Sequence, residues 1–203
     1  MVLALIKELE LRKVEFKEEV VQTIYFGGGT PSVLNTAEID QIIGSVYSNY
    51  IVVSAPEITL EANPDDLSEE KIEELAKSPI NRLSIGIQSF FEEDLKMMNR
   101  AHNSMEAEDC IVLAKNYFDN ISIDLIYGIP GMTNERWIAN IEKALAFGVP
   151  HISSYALTVE PKTALKSFIV LTKPFSFKKF TLSISSSFIK DKASSLVRLV
   201  SFT

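Results

Sequence analysis

The chain has 203 residues, of which 46% are hydrophobic and 23% are charged, and its formal net charge at pH 7 is -7. This length suits one α/β domain and is short for two. The acidic balance argues against nucleic acid or an anionic membrane as partner and favours small molecules or proteins. A single cysteine excludes an intrachain disulfide, and without a recognisable secretory leader or a long apolar run we expect a cytoplasmic protein.

Short β-branched or aromatic segments alternate with segments of helical apolar spacing. The predicted strands are 23–26, 57–62, 82–87, 121–127 and 151–157. The predicted helices are 3–19, 37–47, 69–77, 105–118 and 135–147. Their expected N-caps are Thr36, Ser68, Ser104 and Thr133. This regular alternation predicts parallel strands joined by helical crossovers, in an α/β sheet or partial barrel.

The first predicted strand runs into three glycines, Gly27, Gly28 and Gly29, which are followed by Thr30 and Pro31. Because glycine has no Cβ atom, a ligand can approach the peptide groups of this loop directly. The loop therefore predicts a cofactor site. The same residues also suit a tight strand-to-helix turn.

Polar residues stand at or near the predicted carboxyl ends of other strands, where ligands bind in parallel α/β folds. Glu61 ends the second strand and Asp124 lies in the fourth, and each carboxylate needs a cation or a donor among apolar neighbours. Gln88 ends the third strand, where its amide can both donate to and accept from a hydroxyl group. Each of the three also has a structural interpretation, as a loop-ordering group or as one side of a buried pair.

Arg100 is a cation close in sequence to this edge, and a guanidinium binds a carboxylate in bidentate geometry. It could equally be a surface arginine. His102 and His151 suit structural histidines better than catalysts or ligands, and Cys110 suits a core thiol. We therefore predict no catalytic residue and no metal ligand within the chain.

Five motifs occur in a fixed order, YFGGGTP at 25–31, EANP at 61–64, SIGIQS at 84–89, NRAH at 99–102 and IDLIYGIP at 123–130. The set resembles the radical S-adenosylmethionine (SAM) enzymes of the oxygen-independent coproporphyrinogen III oxidase family. The resemblance extends over about residues 3–165. Within the family, segments 100–102 and 151–160 look more like the HemW-type heme chaperone branch than the oxidase.

The resemblance implies a partial (βα) barrel that holds SAM and a 4Fe-4S cluster. It also implies that Gly28, Gly29 and Thr30 contact the amino end of the methionine moiety of SAM, with Glu61 as a charged partner. Arg100 would pair with the methionine carboxylate.

For the adenosine moiety, the resemblance implies three further contacts. Gln88 and Asp124 would bracket the ribose hydroxyls, and Ala156 would line the adenosine. In the chaperone branch, heme and a heme-accepting protein are the implied partners.

The chain also departs from this family. Its members carry a CxxxCxxC loop whose thiolates hold the cluster, and that loop is absent here. The likeness stops after Leu165, and segment 166–203 is serine-rich with a single acid, Asp191. We interpret 1–165 as a partial barrel core and 166–203 as a divergent tail of unknown fold. We hypothesise an internal start at Met1 and a broken reading frame near Leu165, which would leave the chain inactive alone.

Three alternatives to a HemW-type protein remain at this stage. The first is an oxygen-independent coproporphyrinogen III oxidase, which decarboxylates propionate side chains. The second is a non-catalytic module that binds heme or a protein partner. The third is a phosphate-binding α/β enzyme that uses the loop at 27–30 as an anion nest.

Overall fold

The computed structural model describes residues 1–158 and 196–199. Within these ranges the helices are α1 (Val2–Arg12), α2 (Thr36–Asn49), α3 (Glu69–Lys77), α4 (Glu92–Met97), α5 (Ser104–Ala114) and α6 (Asn134–Ala146). The strands are β1 (Val20–Phe26), β2 (Ile51–Ala62), β3 (Arg82–Gln88), β4 (Ile121–Tyr127), β5 (His151–Ala156) and β6 (Leu196–Leu199). Three 3₁₀ turns are Lys13–Phe16, Pro31–Val33 and Pro64–Asp66. No helix in the described ranges is long and apolar enough to cross a bilayer.

The chain divides into two compact units, each built on parallel strands. The first comprises Met1–Ile85 and Val112–Ile121, and the second comprises Gly86–Ile111 and the described residues from Ser122 onward. In the first unit β1 pairs with β2 and β2 pairs with β3, all in parallel. In the second unit β4 pairs with β5 and β5 pairs with β6, also in parallel. The parallel strands and helical connections predicted from the sequence are confirmed.

The core of the first unit forms where apolar residues recur at helical spacing beneath β2. Helix α2 buries Ile39, Ile42, Ile43 and Val46, which follow one another at intervals of three, one and three residues and so form one face. Strand β2 contributes Leu60, which is fully buried. Leu60 stands in register with Phe26, the last residue of β1, so this part of the core lies at the carboxyl end of β1.

The second unit is built in the same way around β4 and β5. Ile123 and Leu125 of β4 and Ile152 of β5 are fully buried. Helix α5 buries Cys110, whose exposed fraction is 3%, so the prediction of a core thiol is confirmed. Helix α6 buries Trp137, which packs against Tyr127 of β4 at 5.5 Å between ring centroids.

Two predicted N-caps are wrong by one residue. Helix α2 is capped by Asn35 instead of Thr36, in a capping box with Glu38. Helix α5 is preceded by Asn103, whose side-chain oxygen accepts from the two N–H groups at 105 and 106, so the cap is not Ser104. In both cases the asparagine side-chain oxygen accepts from free N–H groups of the first helical turn. The glutamate three residues later accepts, through its side chain, from the backbone N–H of the asparagine.

The remaining helix predictions differ mainly in length. Ser68 and Thr133 cap α3 and α6 as expected. Helix α1 ends at Arg12 and not near residue 19, because the chain tightens into the 3₁₀ turn at Lys13–Phe16 and β1 begins at Val20. Helix α4 was not predicted, since six residues are too few to show a period. The predicted divergent tail lies outside the described residues apart from β6.

Candidate cofactor site

The loop after β1 uses its three glycines in two different ways. Gly28 and Gly29 have φ of +79° and +65°, a region that residues with a Cβ atom rarely adopt. A Cβ atom at either would meet nothing within 4 Å, so the side of the loop on which a side chain would project is open. A Cβ atom at Gly27 would lie 2.6 Å from the ring of Tyr25 and 3.2 Å from the carboxyl carbon of Glu61. Gly27 therefore permits close packing beneath the loop, while the next two glycines shape it.

Glu61, near the end of β2, is held against this loop by two donors. The Tyr25 hydroxyl donates to Oε1 at 2.7 Å, and the Gly28 N–H donates to Oε2 at 3.2 Å. The Glu61 side chain is half-buried. Each carboxylate oxygen can accept more than one hydrogen bond, so the group retains capacity for an ammonium ligand.

A second contact joins the loops that follow β1 and β2. The Ser32 hydroxyl, in the turn Pro31–Val33, donates to Oδ2 of Asp66 at 2.5 Å. Lys71 of α3 donates to the carbonyl of Leu34 just beyond that turn. The segment that follows the glycine loop is therefore linked to the loop that follows β2, just beyond Glu61. Sequence reasoning missed this contact between the two loops. The available signal was a proline at the first position of each 3₁₀ turn.

The glycine loop also lines a cavity of about 960 Å³ within the first unit. Most of its other walls are apolar and come from α1, β1 and α2. They include Leu5, Leu9, Phe26 and Val46.

Gln88, at the end of β3 in the second unit, has φ of +66° although it is not a glycine. The N–H of Ser89 donates to the carbonyl of Ile87 at 2.8 Å, which closes a three-residue γ-turn around Gln88. A γ-turn with positive φ is rare and strained. The same carbonyl lies 3.1 Å from Nε2 of His102, which is buried, as expected for a structural histidine.

Arg100 is placed by the end of α4. Asn99 has φ of +53°, its N–H donates to the carbonyl of Lys96 at 3.0 Å, and the N–H of Arg100 donates to the carbonyl of Leu95 at 3.0 Å. This pair of hydrogen bonds is a Schellman motif. The half-buried Arg100 therefore leaves the helix in a direction that the backbone fixes.

Asp124 and Ala156 lie on the paired strands β4 and β5. Asp124 is half-buried and stands in register with Ser153, while Ala156 stands in register with Tyr127 at the end of β4. The carbonyl of Tyr127 accepts from the N–H of Leu157 at 2.8 Å. This pairing extends to the carboxyl ends of both strands.

The eight predicted cofactor residues are divided between the two units. In the first unit Gly28 contacts Glu61 directly, and Gly29 and Thr30 continue the same loop. In the second unit the segment of Gln88 is joined to that of Arg100 through His102. Asp124 and Ala156 lie on adjacent strands of that unit.

A buried polar network follows Gln88, and sequence reasoning missed it. The Ser89 hydroxyl donates to Oδ2 of Asp94 at 2.8 Å, and Asn140 of α6 donates to that hydroxyl at 3.1 Å. Arg136, one turn before Asn140, donates to Oδ1 of Asp94 at 3.0 Å. The hydrogen bond from Arg136 to Asp94 raises the pKa of the guanidinium. The sequence signal was Asn140 itself, a polar residue on the buried face of α6.

The residues of the chain fit SAM but do not fit an iron–sulfur cluster. The Glu61 carboxylate beside the exposed glycine peptides suits the ammonium group of a methionine moiety. The sequence holds one cysteine, buried in α5, and residues 1–158 and 196–199 hold no group of three metal-ligating side chains. These residues therefore do not supply the thiolates that a cluster requires.

Residues 4–144 match the Radical SAM superfamily. The chain therefore belongs to that superfamily. It is 41% identical over 149 residues to the heme chaperone HemW of Lactococcus lactis, covering 73% of this chain and 39% of that protein. It is 35% identical over 148 residues to the heme chaperone HemW of Escherichia coli, covering 72% and 39% respectively. The chain thus spans about two fifths of the length of these relatives.

Among solved structures, the chain is similar to the coproporphyrinogen III oxidase HemN of Escherichia coli, a radical SAM enzyme. The TM-score is 0.70 at 28% identity, over 78% of this chain and 37% of that one. The α/β fold is accordingly a partial parallel (βα) barrel of the radical SAM type. The family that the five motifs indicate is confirmed.

Proposed function

We propose that this chain is the SAM-binding part of a HemW-type protein and that Glu61 receives the amino group of the methionine moiety. The observation that carries the proposal is the Glu61 carboxylate, held at 2.7 Å by Tyr25 and at 3.2 Å by Gly28 beside two left-handed glycines. The two donors orient the carboxylate before a ligand arrives. A preorganised acceptor loses less entropy on binding.

The remaining contacts with SAM follow from the chemistry of the other candidate residues. Thr30 and the exposed peptides of Gly29 complete the methionine end. Arg100 pairs with the methionine carboxylate, because a guanidinium matches it in geometry and charge. These two sets of residues belong to different units, so each assignment is tested by its own variant.

The Gln88 amide donates to and accepts from the ribose hydroxyls, the Asp124 carboxylate accepts from them, and Ala156 lines the adenosine. An amide offers both a donor and an acceptor, and a carboxylate offers acceptors, so the pair matches two hydroxyl groups. The half-buried state of Gln88 and Asp124 leaves part of each side chain accessible to a ligand.

The wider function we propose is heme handling in the cytoplasm, with heme and a heme-accepting protein as partners. Its support is the similarity to HemW proteins at 41% and 35% identity. The residues of this chain support SAM binding, and no radical step is assigned to them. A 4Fe-4S cluster would require thiolates from outside these 203 residues.

The second candidate is coproporphyrinogen III oxidase activity in the whole protein, favoured by the structural likeness to HemN. Heme titration separates the two. A HemW-type protein binds heme with a shift of the Soret absorbance band, whereas an oxidase consumes coproporphyrinogen. Both measurements need a protein of the full length of the HemW relatives, of which this chain covers 39%.

The SAM proposal is tested by titrating the chain with SAM in a calorimeter. Glu61→Gln removes the charge but keeps an oxygen for Tyr25, and we expect its SAM affinity to fall by about tenfold to a hundredfold. Asp40→Asn removes the same charge at an exposed position of α2 and should bind as the unmodified chain does. Equal affinity in Glu61→Gln would overturn the role of Glu61.

A further inference from the structure

The two non-glycine residues with positive φ in the described ranges are Gln88 and Asn99. Both adjoin proposed cofactor contacts, since Gln88 is one and Asn99 precedes Arg100. The Asn99 conformation is explained by the Schellman motif that ends α4. Gln88 does not lie at a helix end, so its positive φ has no such explanation. A strained backbone conformation persists only where its surroundings impose it, so other contacts must stabilise this one.

That source is the polar network behind the turn. Oδ1 of Asn140 accepts from the N–H of Phe90 at 2.7 Å, and its Nδ2 donates to the Ser89 hydroxyl at 3.1 Å. The backbone N–H of Phe90 can only donate, so it fixes which end of the amide is the oxygen. Asn140 therefore contacts both residues that immediately follow Gln88.

Ser89 connects this amide to α4. Its hydroxyl donates to Asp94 at 2.8 Å and accepts from the N–H of Phe91 at 3.2 Å. Ser89 and Asn140 are 0% exposed, and Asp94 is 1% exposed. Removing one partner would leave the others buried and unsatisfied, so the network resists change.

We propose that Asn140 and Ser89 are positioning residues that maintain the γ-turn of Gln88 and so direct its amide to the ribose hydroxyls of SAM. The identity of the ligand in this proposal rests on the proposed function, but the effect of Asn140 and Ser89 on the turn does not. The His102 contact with the carbonyl of Ile87 holds the turn from the other side. Neither Asn140 nor Ser89 touches the ligand; each acts through Gln88.

The first test needs no ligand. Gln88→Gly relieves the strain, because glycine adopts positive φ without a Cβ penalty. If Asn140 maintains the turn, its loss lets the turn of Gln88 relax, and the released strain offsets part of the lost hydrogen bonding. A glycine turn has no such strain to release, so Asn140→Leu should lower the urea midpoint of unfolding more in a Gln88→Gly background than in the unmodified chain. Equal losses in the two backgrounds would overturn the proposal. If Asn140→Leu does not fold, Ser89→Ala replaces it in the same cycle.

The second test measures selectivity for the ribose. SAM and its 2′,3′-dideoxy analogue are titrated into the unmodified chain, which should prefer SAM by about tenfold or more. Gln88→Ala, Asn140→Leu and Ser89→Ala should each lower this ratio, and the double variant Gln88→Ala/Ser89→Ala should lower it no further than Gln88→Ala. Ile141→Val, at the next buried position of α6, should keep the full ratio.

The outcomes separate the two proposals. Failure of the unmodified chain to bind SAM would overturn the proposed function, and the stability cycle would still decide whether Asn140 maintains the turn. SAM binding with an unchanged ribose ratio in Asn140→Leu and Ser89→Ala would overturn the positioning role alone. Reductions in the ratio that add to the effect of Gln88→Ala would also overturn it.

Discussion

The hydroxyl of Tyr25 and the carboxylate of Glu61, which are 36 positions apart in the chain, form a hydrogen bond of 2.7 Å that joins two parallel strands beside the glycine loop. The Tyr25 side chain is 54% exposed, so its hydroxyl is not held by burial. The tyrosine thus orients the carboxylate that we propose as a SAM contact, while remaining open to solvent.

Tyr25→Phe removes one of the two donors to Glu61. Because the phenyl ring remains, we expect the stability of the fold to change little and the SAM affinity to fall about threefold to tenfold. The measurement is calorimetric titration with SAM, alongside thermal unfolding. Tyr47→Phe, at another exposed tyrosine, is the matched control, and a comparable loss of affinity there would contradict the specific role of Tyr25.

Two glycine substitutions should have opposite effects on stability. Gly28→Ala places a Cβ atom at φ of +79° and should lower the free energy of unfolding by about 1 kcal/mol. Gly44→Ala lies within α2, where a Cβ atom meets nothing within 4 Å, and should raise it by about 0.5–1 kcal/mol. Urea unfolding measures both. The same sign of change in both variants would refute the conformational explanation.

Ser32→Ala removes the hydrogen bond between the turns that follow β1 and β2. We expect a loss of about 1 kcal/mol in the free energy of unfolding, since the Asp66 carboxylate loses a part-buried donor. Amide hydrogen exchange in the loop at 27–31 should accelerate by more than the global loss explains. Ser45→Ala, on α2, is the control, and unchanged exchange at 27–31 in Ser32→Ala would show that the contact does not brace the loop.

Glu92 predicts a pH dependence of stability. The N–H of Ser104 donates to its carboxylate at 3.2 Å and, with the Lys96 side chain, lowers the pKa of Glu92 from its ordinary value of 4.5. A lowered pKa stabilises the fold fully above about pH 4.5, and this contribution is lost as the pH falls through the lower folded value. Glu92→Gln should therefore be less stable than the unmodified chain at pH 7, and the difference should shrink below pH 4.5.

The control for that comparison is Glu18→Gln, at an exposed position outside the helices. The urea midpoints of the three proteins are compared at neutral and acidic pH. A gap between Glu92→Gln and the unmodified chain that stays constant with pH would contradict a contribution from the ionised carboxylate.

The order of strands and helices was predictable from the sequence. A parallel sheet buries its strands and one face of each helix, and this burial leaves a periodic pattern of apolar residues in the sequence. The end of α1 was not predictable, because the apolar spacing continues through residues 13–19 while the backbone changes to a 3₁₀ turn at Lys13–Phe16. The caps Asn35 and Asn103 could have been found from the glutamate three residues after each.

The sequence could propose the residues of the candidate site but not their geometry. Sequence position placed Gln88 at a strand end, yet nothing local to Gln88 shows that its φ is positive. That conformation depends on Asn140, 52 positions later, through a buried network that forms only when α6 packs. Long-range polar contacts of this kind leave one isolated polar residue on a helix as their sequence signal.

We propose that the glycine loop and Glu61 receive the methionine end of SAM and not a phosphate. The most direct measurement is calorimetric titration of the chain with SAM, with 5′-methylthioadenosine, which lacks the amino and carboxylate groups, and with inorganic phosphate. We predict that SAM binds and that phosphate does not compete with it. We also predict that 5′-methylthioadenosine binds at least tenfold more weakly than SAM, because it loses the charged contacts of the methionine end, and a tenfold loss of affinity corresponds to about 1.4 kcal/mol. Binding of phosphate together with indifference to SAM would contradict the account.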